Sequence, residues 1–156
     1  ALVTSYSKVT LCPKGGRYMR ARELMECAIE ARKQAYVPYS NYKVGAAVLD
    51  QSGRVFTGCN IENAAYSPTN CAERTAIFKA ISEGSLRFAA LAIVADSPHA
   101  VTPCGVCRQV MAEFFQPDTP VYLGNLQGEI VATTFQELLP GAFTSAAMNL
   151  EVKGDE

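Results

Sequence analysis

The chain has 156 residues, a net charge of −1, a pI near 5.9 and an apolar content of 49%. This suits one domain around one core, and the lack of any Lys/Arg run excludes the positive footprint that a nucleic-acid polymer demands. No stretch reaches the length of a membrane span and the first residues carry no continuous apolar run, so a soluble, intracellular (cytoplasmic) protein is expected.

Residues 1–18 lack periodicity, carry the turn-like Cys12-Pro13-Lys14-Gly15-Gly16 and read as an N-terminal arm, leaving 19–156 as a single domain. From Ala21 to about Tyr36, Leu24, Ala28, Ala31 and Ala35 recur at helical spacing, and Pro38 stops the helix. Tyr42 to Leu49 and Arg54 to Thr57 read as strands joined by the turn Asp50-Gln51-Ser52-Gly53. After an Asn-rich loop, helix signals resume at Cys71, with Thr69 or Asn70 as the expected N-cap, and continue to about Glu83, where Gly84 ends them. Phe88 to Ala95 reads as a buried strand and Cys104 to about Phe115 as a helix. Val121 to Leu123 and Glu129 to Thr133 read as short strands, and Thr134 caps a last helix at Phe135 to Leu139. The order α-β-β-α-β-α-β-β-α predicts a mixed sheet of about five strands with helices on both faces.

Six cysteines in a reducing compartment point to a metal or to catalysis rather than to disulfides. Cys12, Cys27 and Cys59 read as small buried apolar residues. The others fall in two patterns, Cys71-Ala72-Glu73 and Pro103-Cys104-Gly105-Val106-Cys107. Cys104 and Cys107 are three apart, so on a helix they share a face and can grip one ion. All three sulfurs fall in or near the first turn of an expected helix, where orphan N–H groups and the dipole favour the thiolate that zinc needs. Three evident ligands rather than four leave room for a water whose pKa zinc lowers towards ~7. On this reading Glu73 carries protons rather than binding zinc. Arg74 is placed to donate to one or two of the sulfurs and draw off their charge.

Other readings stand beside this one. Cys104 and Cys107 alone suit a redox pair. His99, the sole histidine, can close the site as an inert Cys₃His zinc. Glu73 and Arg74 alone suit a solvated helix face.

At these residues the chain resembles the cytidine deaminase family, whose wider zinc-deaminase signature pairs His/Cys-x-Glu with Pro-Cys-x-x-Cys. With Cys71 in the position where polynucleotide and tRNA editors usually have His, it is similar to the small homotetrameric nucleoside enzymes. The likeness extends from about residue 21 to 145 through Tyr39-Ser40-Asn41-Tyr42-Lys43-Val44-Gly45-Ala46-Ala47, Gly58-Cys59-Asn60-Ile61-Glu62-Asn63-Ala64 and Glu137-Leu138-Leu139-Pro140-Gly141-Ala142-Phe143. The resemblance implies a three-layer α/β/α sandwich around a five-stranded mixed sheet. It implies that Asn60 and Glu62 hydrogen-bond the ribose 3′-hydroxyl, that Tyr42 stacks on the pyrimidine where the family usually has Phe, and that Ala72 N–H and Glu73 read the base edge. It also implies that the Pro103 carbonyl holds the leaving amine and that Phe143 reaches a neighbouring subunit's site in a homotetramer. The implied activity is zinc-dependent hydrolytic deamination of cytidine and deoxycytidine to uridine and deoxyuridine, with release of ammonia, in pyrimidine salvage. The alternatives are a deaminase of another aminopyrimidine nucleoside such as blasticidin S and, from a different class, a structural zinc module. An RNA or DNA editor fits less well, for want of a basic surface.

Overall fold

The computed structural model describes residues 21–148, so the arm at 1–18 and Cys12 lie outside the described residues. Helix α1 spans Ala21–Arg32, and strands β1 (Val44–Asp50) and β2 (Val55–Cys59) follow as a hairpin. Helix α2 (Ala72–Ser82), β3 (Phe88–Ala95), α3 (Gly105–Phe114), β4 (Pro120–Asn125), β5 (Ile130–Thr134) and α4 (Phe135–Leu138) complete the order expected from the sequence. A short 3₁₀ turn follows at Ser145–Met148.

The five strands form one sheet in the order β2-β1-β3-β4-β5. Only β3 and β4 pair in parallel, and their crossover is α3; the remaining pairs are antiparallel. Alternation along β1 and β3 divides the core into two layers. Ala47 and Leu49 with Ala90, Ala92 and Val94 pack on Leu24, Met25, Cys27 and Ala28 of α1. Ala46 and Val48 with Leu91 and Ile93 pack on Ala76, Ile77 and Ala80 of α2 and on Cys107 and Met111 of α3. The result is the three-layer α/β/α arrangement.

Two glycines let helix backbones come close to the sheet. A Cβ on Gly45 would stand 2.0 Å from the Ala28 carbonyl oxygen of α1. A Cβ on Gly58 would stand 2.4 Å from the Ala76 amide nitrogen and 2.6 Å from the Ala72 carbonyl oxygen of α2. Gly84 (φ +86°) ends α2 in a Schellman motif, Ser85 N–H donating to Ala80 O and Gly84 N–H to Ile81 O. Thr134 and Glu137 form a capping box on α4.

Some boundaries differ from those expected. Helix α1 ends at Arg32, four residues short of Tyr36. The chain there tightens into i→i−3 bonds, and Tyr36 bridges Ile61, with Tyr36 N–H donating to Asn60 O and Glu62 N–H to Tyr36 O. A pairing across 25 residues of chain overrides the local helical pattern. The N-cap of α2 is Cys71, not Thr69 or Asn70, because Asn70 is drawn into a main-chain bridge with Ile61. Among the described residues no helix is long and apolar enough to cross a membrane.

Candidate active site

The register places the start of β1 and the ends of β2, β3 and β4 at one end of the sheet: Gly45 faces Cys59, Val44 faces Ala95, and Ala95 faces Asn125. The loop leaving β2 leads into α2 and the loop leaving β3 leads into α3. Ligand sites of α/β sheets lie beyond such strand ends.

Both helices begin in the same way. Cys71 is the N-cap of α2 (φ −73°, ψ 156°) and Cys104 the N-cap of α3 (φ −69°, ψ 166°), and neither makes a side-chain cap hydrogen bond. Cys107 lies at the third position of α3, fully buried against the core. The three sulfurs lie within 4.8 Å of one another, with Cys71 Sγ 3.9 Å from Cys104 Sγ. Sulfurs on a tetrahedral zinc, each ~2.3 Å from the metal, stand about 3.8 Å apart, so this donor set fits zinc with a small contraction. His99 is not among the clustered groups; it stands exposed on the loop after β3.

The electrostatics suit a metal. A hydrogen bond from the Cys107 thiol lowers the Cys71 pKa to about 5 against the opposing effect of burial, with Arg74 and Cys104 acting in the same direction. The same bond, donated by Cys107, raises the pKa of Cys107. Arg74 Nη2 donates to Cys71 Sγ at 3.5 Å, and its guanidinium also faces Cys107. Burial works against the Arg74 charge, but the sulfur contacts outweigh it and raise the Arg74 pKa. Behind Cys71, Thr75 Oγ1 donates to the Cys71 carbonyl at 3.1 Å and accepts from Asn70 Nδ2 at 3.1 Å, bracing the helix start.

Glu73, in the first turn of α2, is only 5% exposed and lies outside the sulfur cluster. Burial pushes its carboxyl up to about 7, with the Cys71 charge adding to the rise, while its own backbone N–H, Cys107 and Arg74 oppose it. Ala72 is fully buried at the first position of α2, where its N–H has no acceptor within the helix. Pro103 is buried, and its carbonyl accepts from Arg108 Nε at 2.8 Å.

Three of the other expected contacts sit on the two loops beside β1 and β2, and Phe143 lies after α4. Tyr42 is 42% exposed. Asn60 joins the loops: its Oδ1 accepts from Val44 N–H at 2.8 Å and its Nδ2 donates to the Tyr42 carbonyl at 2.8 Å. Glu62 accepts from the Tyr39 N–H, the Ser40 N–H and the Ser40 hydroxyl. Phe143 is 58% exposed, its carbonyl accepting from Gln109 Nε2 at 2.9 Å. Cys59 is half-buried at the end of β2, its thiol pKa raised by burial; Cys27 is buried in the α1 layer but is disulfide-bonded, which corrects the reading of it as a free, merely apolar cysteine.

Sequence reasoning missed three supports. Arg108 ties Pro103 to the Leu138 carbonyl, donated through Nη1 at 2.6 Å. Asn125, between the two strands expected there, and Glu129, read as the start of the second, anchor the loop that carries Pro103 and Cys104: Asn125 Nδ2 donates to Pro98 O, and Glu129 Oε2 accepts the Ala100 N–H at 2.8 Å. Ser40 bridges Glu62 and Tyr42. Only the Cys104-Gly105-Val106-Cys107-Arg108 spacing carried a signal, since it puts Arg108 one helical turn from Cys104.

Comparison with known proteins places this arrangement. A family model described as "Cytidine and deoxycytidylate deaminase zinc-binding region" matches residues 19–123, a span that contains all three clustered cysteines. The cytidine deaminase of Halalkalibacterium halodurans is 60% identical over 131 residues, which are 84% of this chain and 99% of that protein. That of Sporosarcina psychrophila is 58% identical over 126 residues, 81% of this chain and 93% of that one. The crystal structure of cytidine deaminase from Burkholderia pseudomallei superposes with a TM-score of 0.78 at 50% identity, covering 80% of this chain and all of the other.

Proposed function

We propose, from the premise that this chain belongs to the cytidine and deoxycytidylate deaminase family, that it hydrolyses cytidine and deoxycytidine to uridine and deoxyuridine with release of ammonia. The observation that carries the proposal is the cluster of three thiols within 4.8 Å, beside a buried carboxyl that is no part of it.

Cys71, Cys104 and Cys107 would hold zinc. When bound, zinc is a Lewis acid that lowers the pKa of a water towards ~7. The chain's own groups do the rest. Glu73 takes a proton from water as its oxygen adds to C4 of the base, and hands that proton to ring N3. The carboxylate then takes the second proton, from the new C4 hydroxyl, and delivers it to the 4-amino group, so that the C4–N bond breaks, ammonia leaves and the C4 carbonyl forms. One group serving as base and then acid works best with a pKa near the operating pH, and burial moves Glu73 that way. Ala72 N–H reads the base edge and the Pro103 carbonyl accepts from the departing amine, held in place by Arg108. Tyr42 stacks on the pyrimidine, while Asn60 and Glu62 meet the ribose 3′-hydroxyl. Arg74 offsets the negative charge of the sulfurs.

The enzyme works as a homotetramer whose Phe143 enters a neighbour's site. Supporting this, Tyr36 and Tyr39 stand exposed on the loop that carries Tyr42, and Ile61 and Tyr66 on the loop that carries Asn60 and Glu62. A thiolate metal site suits the reducing cytoplasm. The decisive experiment measures zinc content beside turnover of cytidine, deoxycytidine and blasticidin S by ultraviolet absorbance. One zinc per chain and rapid loss of the cytidine band are expected. A zinc-loaded protein inert on cytidine defeats the proposal, and one faster on blasticidin S reassigns the substrate.

A further inference from the structure

Ser40 has no role in the chemistry above, yet it lies between two residues given to the substrate. Its hydroxyl donates to Glu62 Oε1 and accepts the Tyr42 N–H at 3.0 Å. Glu62 Oε2 takes two main-chain donors, Tyr39 N–H at 2.9 Å and Ser40 N–H at 3.2 Å. A carboxylate offers about four lone-pair positions. Two on Oε2 and one on Oε1 are used, so one acceptor position remains, on the oxygen that Ser40 grips. Ser40 also lowers the Glu62 pKa, so that Glu62 is a charged acceptor. Asn41, with φ 56° in the left-handed region that Asn tolerates, bends the chain so that residue 40 reaches back to the amide of residue 42. On the far side of Tyr42, Asn60 holds its carbonyl.

We propose that Ser40 is a positioning residue that couples sugar reading to base stacking: it aims the remaining lone pair of Glu62 at the 3′-hydroxyl while fixing the backbone of Tyr42. This rests on the reading of Tyr42 and Glu62 given above. The hydrogen bonds run in one direction, Tyr42 N–H to Ser40 O–H to Glu62, so each strengthens the next. Removing the hydroxyl frees the carboxylate to turn about its two remaining main-chain donors and leaves the Tyr42 amide without its acceptor.

The test compares kcat/KM for cytidine and for 3′-deoxycytidine in wild type, Ser40→Ala, Ser40→Cys and Glu62→Ala, with zinc content measured in each. Wild type is expected to prefer cytidine. Ser40→Ala is expected to lose about tenfold of that preference, the worth of one ordinary hydrogen bond, chiefly through KM for cytidine. A Ser40 that merely shapes the loop would slow both substrates equally and leave their ratio intact, which overturns the proposal. Loss of preference in Glu62→Ala but not in Ser40→Ala overturns the proposal alone. A wild type indifferent to the 3′-hydroxyl, or a Glu62→Ala protein with the wild-type ratio, overturns the reading of Glu62 and the proposal with it. If Ser40→Ala does not fold, Ser40→Cys, close in size but a weak donor, decides on the same criteria.

Discussion

The cysteines ride on the first turns of α2 and α3, and those helices are packed directly on the sheet. Tyr42, Asn60 and Glu62 instead lie outside the named helices and strands, on two loops joined by side-chain-to-backbone hydrogen bonds. Position on the sulfur side is thus inherited from close-packed backbone, where steric fit is unforgiving. Position on the side proposed to meet the sugar is set instead by single hydrogen bonds across exposed loops. On the proposed roles, the metal side places reacting atoms and the sugar side tunes the choice of substrate.

Breaking this comparison begins with the chemistry. Glu73→Gln keeps the shape of the first turn of α2 but cannot carry a proton, so kcat is expected to fall by about 10³-fold or more while zinc content stays at wild type. Steady-state rates beside metal analysis check it, and near-normal turnover would remove Glu73 from the mechanism.

Gly58→Ala should strike the sulfur side through its scaffold. The added methyl meets the Ala76 nitrogen and Ala72 carbonyl of α2, and backbone cannot swing away as a side-chain tip can. A loss of about 3 kcal/mol is expected from such overpacking, with zinc affinity falling alongside, in denaturant titrations and competition with a chelator. A protein as stable as wild type would show that α2 is free to shift.

The far end of the sheet supplies a control that lies in neither region. Asp50 is 3% exposed at the end of β1 and accepts from Ser52 N–H and Oγ–H, Arg54 N–H and Nε–H, and Ser85 Oγ–H. Burial alone would raise its pKa, but these donors overcome that and hold it at about 2, below its ordinary 3.8. The folded pKa is the lower one, so this stabilisation is fully present above pH 3.8 and is lost as pH falls towards about 2. Asp50→Asn sets an amide against donors; it is expected to cost about 2 kcal/mol at neutral pH, flatten stability across that acid window and leave KM unchanged. Melting temperature against pH would show it, and a wild-type acid limb in the variant would count against Asp50.

The smallest effect belongs to the sugar side. In Asn60→Asp the acceptor for Val44 N–H survives, while the other oxygen now faces the Tyr42 carbonyl. A rise of about tenfold in KM for cytidine is expected, with zinc content untouched. A collapse in metal binding would mean that the two halves of the site are not separable.

The same contrast explains what was legible in the sequence. Cys104 and Cys107 announce themselves by a spacing of three, because helical periodicity converts sequence distance directly into space, whereas Glu73 stands out by following a candidate ligand in the Cys-x-Glu pattern. That β3 is buried was legible in its continuous apolar run, but which of its residues face which layer was not, because Phe88 to Ala95 is apolar throughout. The bridge of Tyr36 with Ile61, the Asn60 clamp and the Ser40–Glu62 contact join residues 16 to 25 apart across irregular loops, and no period reports them. The end of α1 was misplaced at the Tyr36–Ile61 bridge and the N-cap of α2 at the bridge of Ile61 with Asn70. Asn60 and Glu62 came into view only through the family's loop segments, and Asp50 passed as an ordinary hairpin turn because nothing local shows that Ser85 closes over it.

Helices α2 and α3 both open on a cysteine instead of Ser, Thr, Asp or Asn, and neither sulfur caps its own helix. Each helix therefore forgoes about 1 kcal/mol that an ordinary start would supply. An ion gripped by both starts returns that deficit and ties the two segments together, so occupancy and folding become one equilibrium. Scarcity of metal in a cell would then lower the amount of intact enzyme as well as its rate.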